Sequence, residues 1–238
     1  MTRLLCLEDS YLRECDAVVV SARGNEVELD QTVFYPRGGG QPSDTGRIVL
    51  PDGRGSFVAA VSKRDGLVVH ELAADAVPPR AGDKVRCIID WFRRYRLMRM
   101  HTAAHVLAAK MHSELGILIS GNQIEEDKAR FDFTMEEFDR SVFEMVVGKA
   151  NEALSSDTEL KVYQLPREQA MGIPGVVKLA GALPPSVSML RMVEIPGIDI
   201  QADGGTHVKA LREVGRILIL RLDNKGKANR RIYFTLSD

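Results

Sequence analysis

The chain has 238 residues, of which 45% are hydrophobic and 27% charged, with a formal net charge of −1. These fractions are close to those of globular domains, so they exclude a disordered or collagen-like chain. No apolar run approaches the roughly 18 residues that cross a bilayer, and the N-terminus lacks the pattern of a secretory signal. Cys6, Cys15 and Cys87 show no metal-ligand spacing, so we expect reduced thiols and a cytoplasmic protein.

Positive charge is concentrated in two segments of this nearly neutral chain. Residues 91–110 contain five basic side chains and no acid, and residues 211–231 contain seven bases against two acids. Two local clusters suit a polyanion that is held at one face of the protein. Solvated surfaces give the same pattern, so charge alone leaves both interpretations open.

Residues 1–90 are predicted to form a small N-terminal β-barrel domain. Short apolar, β-branched runs alternate with turn residues, which is typical of a small barrel or sandwich. The predicted strands cover residues 15–21, 26–30, 47–50, 55–62, 67–71 and 84–89.

The pattern changes after Asp90, and residues 91–238 are predicted to form an α+β domain. Asp90 and Gly116 are suited to cap a helix over 91–115, and the capping box Thr134–Glu137 predicts a second helix to about residue 154. A short helix is expected at 167–171, with strands at 160–164, 188–195, 206–211, 216–222 and 231–236 and loops at 172–186. Helices packed on a mostly antiparallel sheet are the expected architecture.

The first chemical motif is the pair His101 and His105 in the sequence HTAAH. Residues four apart project from one helix face, so both imidazoles can reach one metal ion. Thr102 stands where the HExxH motif has its glutamate, so protease-type activation of water is not expected. Two unrelated helical histidines would give the same spacing.

The second motif is DGGTH at residues 203–207. Its two glycines permit a tight turn that brings Asp203 and His207 to one point. His101, His105 and His207 would leave one zinc position open, which is typical of catalytic sites, whereas adding Asp203 would nearly close the site. An ordinary glycine turn is the alternative interpretation.

The third motif is FYPRGGGQPSDTG at residues 34–46. Its consecutive glycines allow the backbone to approach a ligand closely. It is neither a dinucleotide-binding fingerprint nor a Walker loop, because it lacks GxGxxG and GK[ST].

Taken in order, these motifs resemble the free-standing alanyl-tRNA editing proteins called AlaX and the editing region of alanyl-tRNA synthetase. The third motif is similar to the family's FY-x-x-GGQ-x-x-D-x-G element, and HTAAH to its first metal motif. RFDF at 130–133 is similar to its RxDF element, and NKGKANRR at 224–231 to its KGK-x-NRR ending. DGGTH stands where the family usually has CGGTH. A glycine-rich domain before HTAAH resembles the medium-length class.

This resemblance implies a zinc-dependent hydrolase that deacylates tRNA(Ala) wrongly charged with serine, and in some cases glycine. It makes His101, His105 and His207 the expected zinc ligands, with Asp203 either a fourth ligand or an orienting group. Thr102 and Thr206 adjoin ligand histidines, so we expect them to contact the serine hydroxyl. The synthetases' editing glutamine is replaced by Ile119, which implies a different arrangement for discrimination.

Substrate contacts are expected from the glycine-rich loop, from polar residues near Ile119 and from the basic segments. These candidates are Gly38, Gly39, Gly40, Gln41, Asn122, Gln123, Arg99, Lys225 and Lys227. Neither a membrane nor DNA is an expected partner.

Two other functions are compatible with the same residues. A zinc-stabilised tRNA-binding module without hydrolysis would have a closed site of four protein ligands. A zinc hydrolase of small esters or amides would not need the basic segments, so its activity would depend weakly on salt.

Overall fold

The computed structural model describes residues 2–74, 77–137, 139–173, 176, 187–226 and 228–237. They form two compact units, Met1–Met98 and Arg99–Asp238, and the division lies within the long first helix. A barrel followed by an α+β part is confirmed, whereas a functional division at residue 90 stays a prediction. In the described part of the chain, no helix has the length and apolar character needed to cross a membrane.

The first unit is built around a closed six-stranded barrel with the strand order β2-β3-β7-β6-β5-β8. All six strands predicted for this part of the chain are confirmed as barrel strands. The short strands β1 and β4 pair with each other in parallel. The bounds are β1 Arg3–Leu4, β2 Glu14–Arg23, β3 Glu26–Leu29, β4 Gln31–Thr32, β5 Gly46–Val49, β6 Gly55–Arg64, β7 Leu67–Leu72 and β8 Lys84–Ile89.

Alternate side chains along the barrel strands point inward and fill the barrel. In β8, Val85, Cys87 and Ile89 are buried whereas the residues between them are exposed, which is the two-residue period of a strand with one face in the core. Cys6, Cys15 and Cys87 are free thiols in the structure.

Helix α1, Trp91–Leu115, has the predicted bounds and caps. The Asp90 carboxylate accepts a hydrogen bond from the amide of Arg93 at 3.1 Å. Gly116 adopts a φ of +67° and its amide donates to the carbonyl of His112 at 2.8 Å, which closes the last turn.

A fully buried ion pair connects the start of α1 to the glycine-rich segment. The guanidinium of Arg94 contacts the carboxylate of Asp44, and neither side chain is exposed. Arg94 also donates to the carbonyls of Ser10 at 2.9 Å and Val33 at 2.8 Å, and Asp44 accepts from the amide of Tyr35 at 2.6 Å. The Arg94 guanidinium thus has its charge and hydrogen-bond partners within the first unit. Arg94 of the basic segment 91–110 is therefore a structural residue and not a surface cation.

The second unit contains two antiparallel sheets, ordered β14-β15-β10-β9 and β11-β12-β13. Helix α2 packs on the first sheet, where its Phe143 ring lies 6.2 Å from that of Phe133. The bounds are β9 Ile119–Ile124, β10 Ala129–Thr134, α2 Arg140–Leu154, β11 Lys161–Pro166, α3 Arg167–Met171, β12 Met189–Ile195, β13 Asp199–Ala202, β14 Ile217–Asn224 and β15 Asn229–Leu236.

Two predictions for this unit are wrong. Thr134 does not begin a helix, because it ends β10 and pairs with Asn229, and α2 begins later with Asp139 accepting from the amide of Ser141 at 2.8 Å. The expected strand 206–211 is reduced to one bridge between Glu159 and Ala210, because a 3-10 turn begins at the next residue. Residues 174–175 and 177–186 of the predicted loop lie outside the described residues.

We predict that Asp44→Asn lowers the free energy of unfolding by about 3–5 kcal/mol, because it leaves the Arg94 charge buried without its counter-ion. Urea unfolding followed by circular dichroism measures this loss. Asp52→Asn is the matched control, since Asp52 forms an exposed pair with Arg54 at 2.7 Å and should leave the free energy of unfolding close to that of the wild type. Equal effects of the two variants would contradict a structural role for Asp44.

Candidate metal centre

The four predicted ligands lie together in the second unit. His101 and His105 stand on successive turns of α1 with ring centres 5.0 Å apart, and the His207 ring lies 4.3 Å from that of His101. Asp203 completes the cluster, and one donor atom from each residue lies within 4.8 Å of all the others. The structure therefore brings HTAAH and DGGTH to a single point.

The turn of DGGTH fits against His101 because its second glycine has no side chain. A Cβ atom built on Gly205 would lie 2.1 Å from Cε1 of His101, which is far inside van der Waals contact. The amide of Gly205 donates to Oδ2 of Asp203 at 2.7 Å and so fixes the carboxylate. Gly204 has open space around its Cβ position, so only Gly205 is required by this packing.

Two of the imidazoles are oriented through their Nδ1 atoms. Nδ1 of His105 lies 2.8 Å from Oδ2 of Asp199, and Nδ1 of His207 lies 3.1 Å from Oγ1 of Thr102. Metal-bound histidines characteristically donate their other ring N–H to such a group. This arrangement leaves Nε2 of both rings for the shared centre.

Asp199 was not identified from the sequence. Its carboxylate contacts His105 from the first residue of β13, and no spacing rule indicates that contact. Gln201 fixes it further, since Nε2 of Gln201 donates to Oδ1 of Asp199 at 3.1 Å.

The electrostatics of His101, His207 and Asp203 favour the forms that bind a metal. Burial lowers the pKa of His207 to about 4 and that of His101 well below its usual value, so both rings are neutral at pH 7. Burial opposes ionisation of Asp203, but the adjacent His101 and His207 rings hold the pKa of Asp203 well below its usual range. Burial also opposes protonation of His105, yet the hydrogen bond to Asp199 raises the pKa of His105. Metal binding at that ring would therefore compete with its protonation.

The donor set fits zinc. Three imidazole nitrogens and one carboxylate oxygen are common zinc ligands, and a tetrahedral ion with bonds of about 2.0–2.2 Å requires donors roughly 3.4 Å apart. Nε2 of His207 and Oδ2 of Asp203 are 3.0 Å apart, and Nε2 of His101 and Oδ1 of Asp203 are 3.7 Å apart. Small rotations of these side chains would therefore bring the donor atoms to the separations that a tetrahedral zinc ion requires.

Thr102 and Thr206 are both fully buried. The Thr102 hydroxyl contacts His207 and also accepts a hydrogen bond from the amide of Val208 at 3.4 Å. These contacts suit a residue that positions His207. A contact between either threonine and a substrate stays a prediction.

The predicted glycine-rich contacts belong to the first unit, where they form a tight turn. The amide of Gly38 donates to the carbonyl of Gln41 at 3.1 Å, and the amide of Gln41 donates back at 2.9 Å. Gly39 and Gly40 have φ values of +58° and +83°, which favour glycine, and Gln41 is buried. The turn alone explains these glycines, and their role in substrate binding stays a prediction.

The predicted basic contacts have different surroundings. Nε of Arg99 donates to the carbonyl of Val214 at 3.0 Å, and its Nη2 donates to that of Ser237, so Arg99 supports the fold. Lys225 is exposed and pairs with Asp223 at 3.1 Å. Lys227 lies outside the described residues.

The polar candidates near Ile119 lie on β9, a strand at the edge of the four-stranded sheet. Asn122 and Gln123 are both exposed, and Nε2 of Gln123 donates to Oε1 of Glu125 at 2.9 Å. The cluster that holds the four predicted ligands does not include them, so substrate binding by these residues stays a prediction.

We predict that Gly205→Ala weakens zinc binding at least tenfold, because the added methyl group displaces the His101 ring. Competition with a chromophoric chelator measures the affinity. Gly204→Ala is the matched control in the same turn and should bind zinc like the wild type. Unchanged affinity in Gly205→Ala would show that the metal does not depend on this contact.

Comparisons with family models and with individual proteins both point to alanyl-tRNA synthetases and alanyl-tRNA editing proteins. A model described as "Threonyl and Alanyl tRNA synthetase second additional domain" matches residues 190–233, and one described as "tRNA synthetases class II (A)" matches residues 9–93. An alanine-tRNA ligase of Ignicoccus hospitalis is 38% identical over 223 residues, which are 92% of this chain and 24% of the ligase.

Full-length relatives are smaller proteins. The alanyl-tRNA editing protein AlaX-M of Saccharolobus solfataricus is 46% identical over 237 residues, which are 99% of each chain. The protein of the same name from Methanosarcina acetivorans is 44% identical over 245 aligned positions that cover both chains completely. This similarity covers both units, and the chain therefore belongs to the AlaX-M family of alanyl-tRNA editing proteins.

Proposed function

We propose that this protein hydrolyses the ester bond that joins serine, and also glycine, to tRNA(Ala). The observation that carries the proposal is the cluster of His101, His105, Asp203 and His207, in a chain that matches alanyl-tRNA editing proteins along its full length. Zinc is the proposed metal because the donors are nitrogen and oxygen atoms in a small, mostly buried space.

A zinc ion in this cluster would supply a Lewis acid for the ester carbonyl or lower the pKa of a water molecule. The protein's own groups do the positioning. Thr102 orients His207, and Asp199 orients His105, each through Nδ1. The amide of Gly205 holds Asp203 as a carboxylate, either as a fourth ligand or as an acceptor for a neighbouring proton.

Discrimination between serine and alanine is assigned to the two threonines. Thr102 and Thr206 are both buried, and each is the chain neighbour of a proposed metal ligand: Thr102 follows His101, and Thr206 precedes His207. A buried site that pairs the serine hydroxyl disfavours alanine, because alanine leaves the polar group unpaired. The free thiols support a reducing compartment, and we place this activity in the cytoplasm.

A second candidate function is a zinc-stabilised tRNA-binding module without hydrolysis. The observation that favours it is the position of Asp203, which gives the cluster four protein donors instead of three. Four protein ligands are typical of structural zinc sites, whereas catalytic sites keep one position for water or substrate.

We predict that the zinc-loaded protein deacylates Ser-tRNA(Ala) roughly 100-fold faster than Ala-tRNA(Ala), because only serine pairs with the threonine hydroxyls. Release of labelled amino acid measures both rates. His101→Ala should abolish the activity, and His112→Ala, an exposed histidine on the same helix, should leave it unchanged.

The possible results separate the candidate functions. Retained zinc and tRNA binding without loss of serine would contradict the hydrolase and support the binding module. Equal rates on a small serine ester and on the charged tRNA, with little dependence on salt, would contradict tRNA as the substrate.

A further inference from the structure

One face of the four-stranded sheet in the second unit is turned away from the core. Phe131, Phe133 and Phe234 are buried on the inner face. The residues between them in β10 and β15 project from the opposite face, since successive side chains alternate across a strand.

The outer face carries a row of basic and aromatic side chains across three strands. Arg130 of β10 pairs with Tyr233 of β15, and Tyr233 pairs with Arg221 of β14. The next row contains Asp132, Arg231 and Asp223. We call this surface, together with Lys225 after β14, the arginine face.

Tyr233 lies between two guanidinium groups. The Arg221 guanidinium is 4.4 Å from the centre of the Tyr233 ring, and Nη1 of Arg231 donates to the Tyr233 hydroxyl at 3.3 Å. The hydrogen bond from Arg231, with a smaller contribution from Arg221, lowers the pKa of Tyr233. The ring is therefore held in a positive environment, and Arg221 beside it is 60% exposed.

Positive charge exceeds negative charge on the arginine face. Its four cations face two carboxylates, Asp132 and Asp223. Asp132 forms an ion pair with Arg231, in which Nη2 and Oδ2 are 3.0 Å apart. Asp223 forms ion pairs with both Arg221 and Lys225, each at 3.1 Å. Among the described residues no carboxylate pairs with Arg130, and its buried Nε has no hydrogen-bond partner.

The excess of positive charge is confined to one part of the sheet. The turn between β9 and β10 contains three acids, Glu125, Glu126 and Asp127, and one base, Lys128, which pairs with Glu125 at 3.2 Å. This acidic turn limits the arginine face at one end of the strands. Arg130 lies two residues after this turn, whereas Arg221 and Arg231 are on β14 and β15, so an anion would lie mainly across Arg221 and Arg231.

We propose that the arginine face binds RNA, with its guanidinium groups on backbone phosphates and an unpaired base stacked on Tyr233. This inference rests on the proposed function, because it names the surface through which tRNA is held. Arginine forks match phosphate geometry, and aromatic side chains on an open sheet are a common platform for unpaired bases. A phosphate can replace the shared Asp223 carboxylate at Arg221 with little loss, since exposed ion pairs contribute little.

The test is binding of uncharged tRNA(Ala) to the full-length, zinc-loaded protein, measured by fluorescence anisotropy over a series of salt concentrations. Arg221→Gln should weaken binding about fivefold and reduce the salt slope by roughly 0.7–0.9. Arg212→Gln is the matched control, because it removes the same charge from an exposed residue of this unit that pairs with Asp157 at 2.7 Å. It should retain the wild-type affinity and slope.

Tyrosine variants test the stacking separately. Tyr233→Ala should weaken binding about tenfold, and Tyr233→Phe, which keeps the ring and the fold, should bind within about twofold of the wild type. Equal losses in Arg221→Gln and Arg212→Gln, or full affinity in Tyr233→Ala, would overturn the proposal.

These measurements are independent of hydrolysis. If the wild type deacylates Ser-tRNA(Ala) while all face variants bind tRNA normally, the arginine face is wrong and the proposed function stands. If the face variants lose tRNA binding while the wild type hydrolyses nothing, the inference stands and the proposed hydrolase is wrong.

Discussion

The contact between Gly205 and the imidazole of His101 is the constraint on which the candidate metal centre depends. Helix α1 presents His101 and His105 on one side, but two imidazoles alone do not form a zinc site. The other donors arrive on a turn whose backbone must approach His101 more closely than any side chain permits. One missing methyl group therefore determines whether Asp203 and His207 reach the histidines of the helix.

The same helix contains a second buried interaction that is structural. Arg94 lies seven residues before His101 and pairs with Asp44 of the glycine-rich segment, with no exposure of either side chain. Gly46 of that segment is also required by packing, because a Cβ there would lie 2.2 Å from the carbonyl oxygen of Ile88. Part of this motif thus maintains the structure of the first unit.

Local patterns predicted much of this structure because they report local physics. Short apolar and β-branched runs between turn residues predicted all six barrel strands, and Asp90 and Gly116 predicted the ends of α1. The capping box at Thr134 failed because a strand pairing with Asn229 outweighs a local helix signal. Asp199 and the partners of Arg94 were missed for a related reason. Their contacts join residues far apart in the chain, which no spacing rule records.

X-ray absorption at the zinc edge tests the central claim, that His101, His105, Asp203 and His207 hold a metal ion. The account predicts about one zinc ion per chain with only nitrogen and oxygen neighbours at about 2.0–2.2 Å, and loss of that ion in His101→Ala. Sulfur among the ligands, or stoichiometric zinc retained in His101→Ala, would contradict it, since the cluster contains no cysteine.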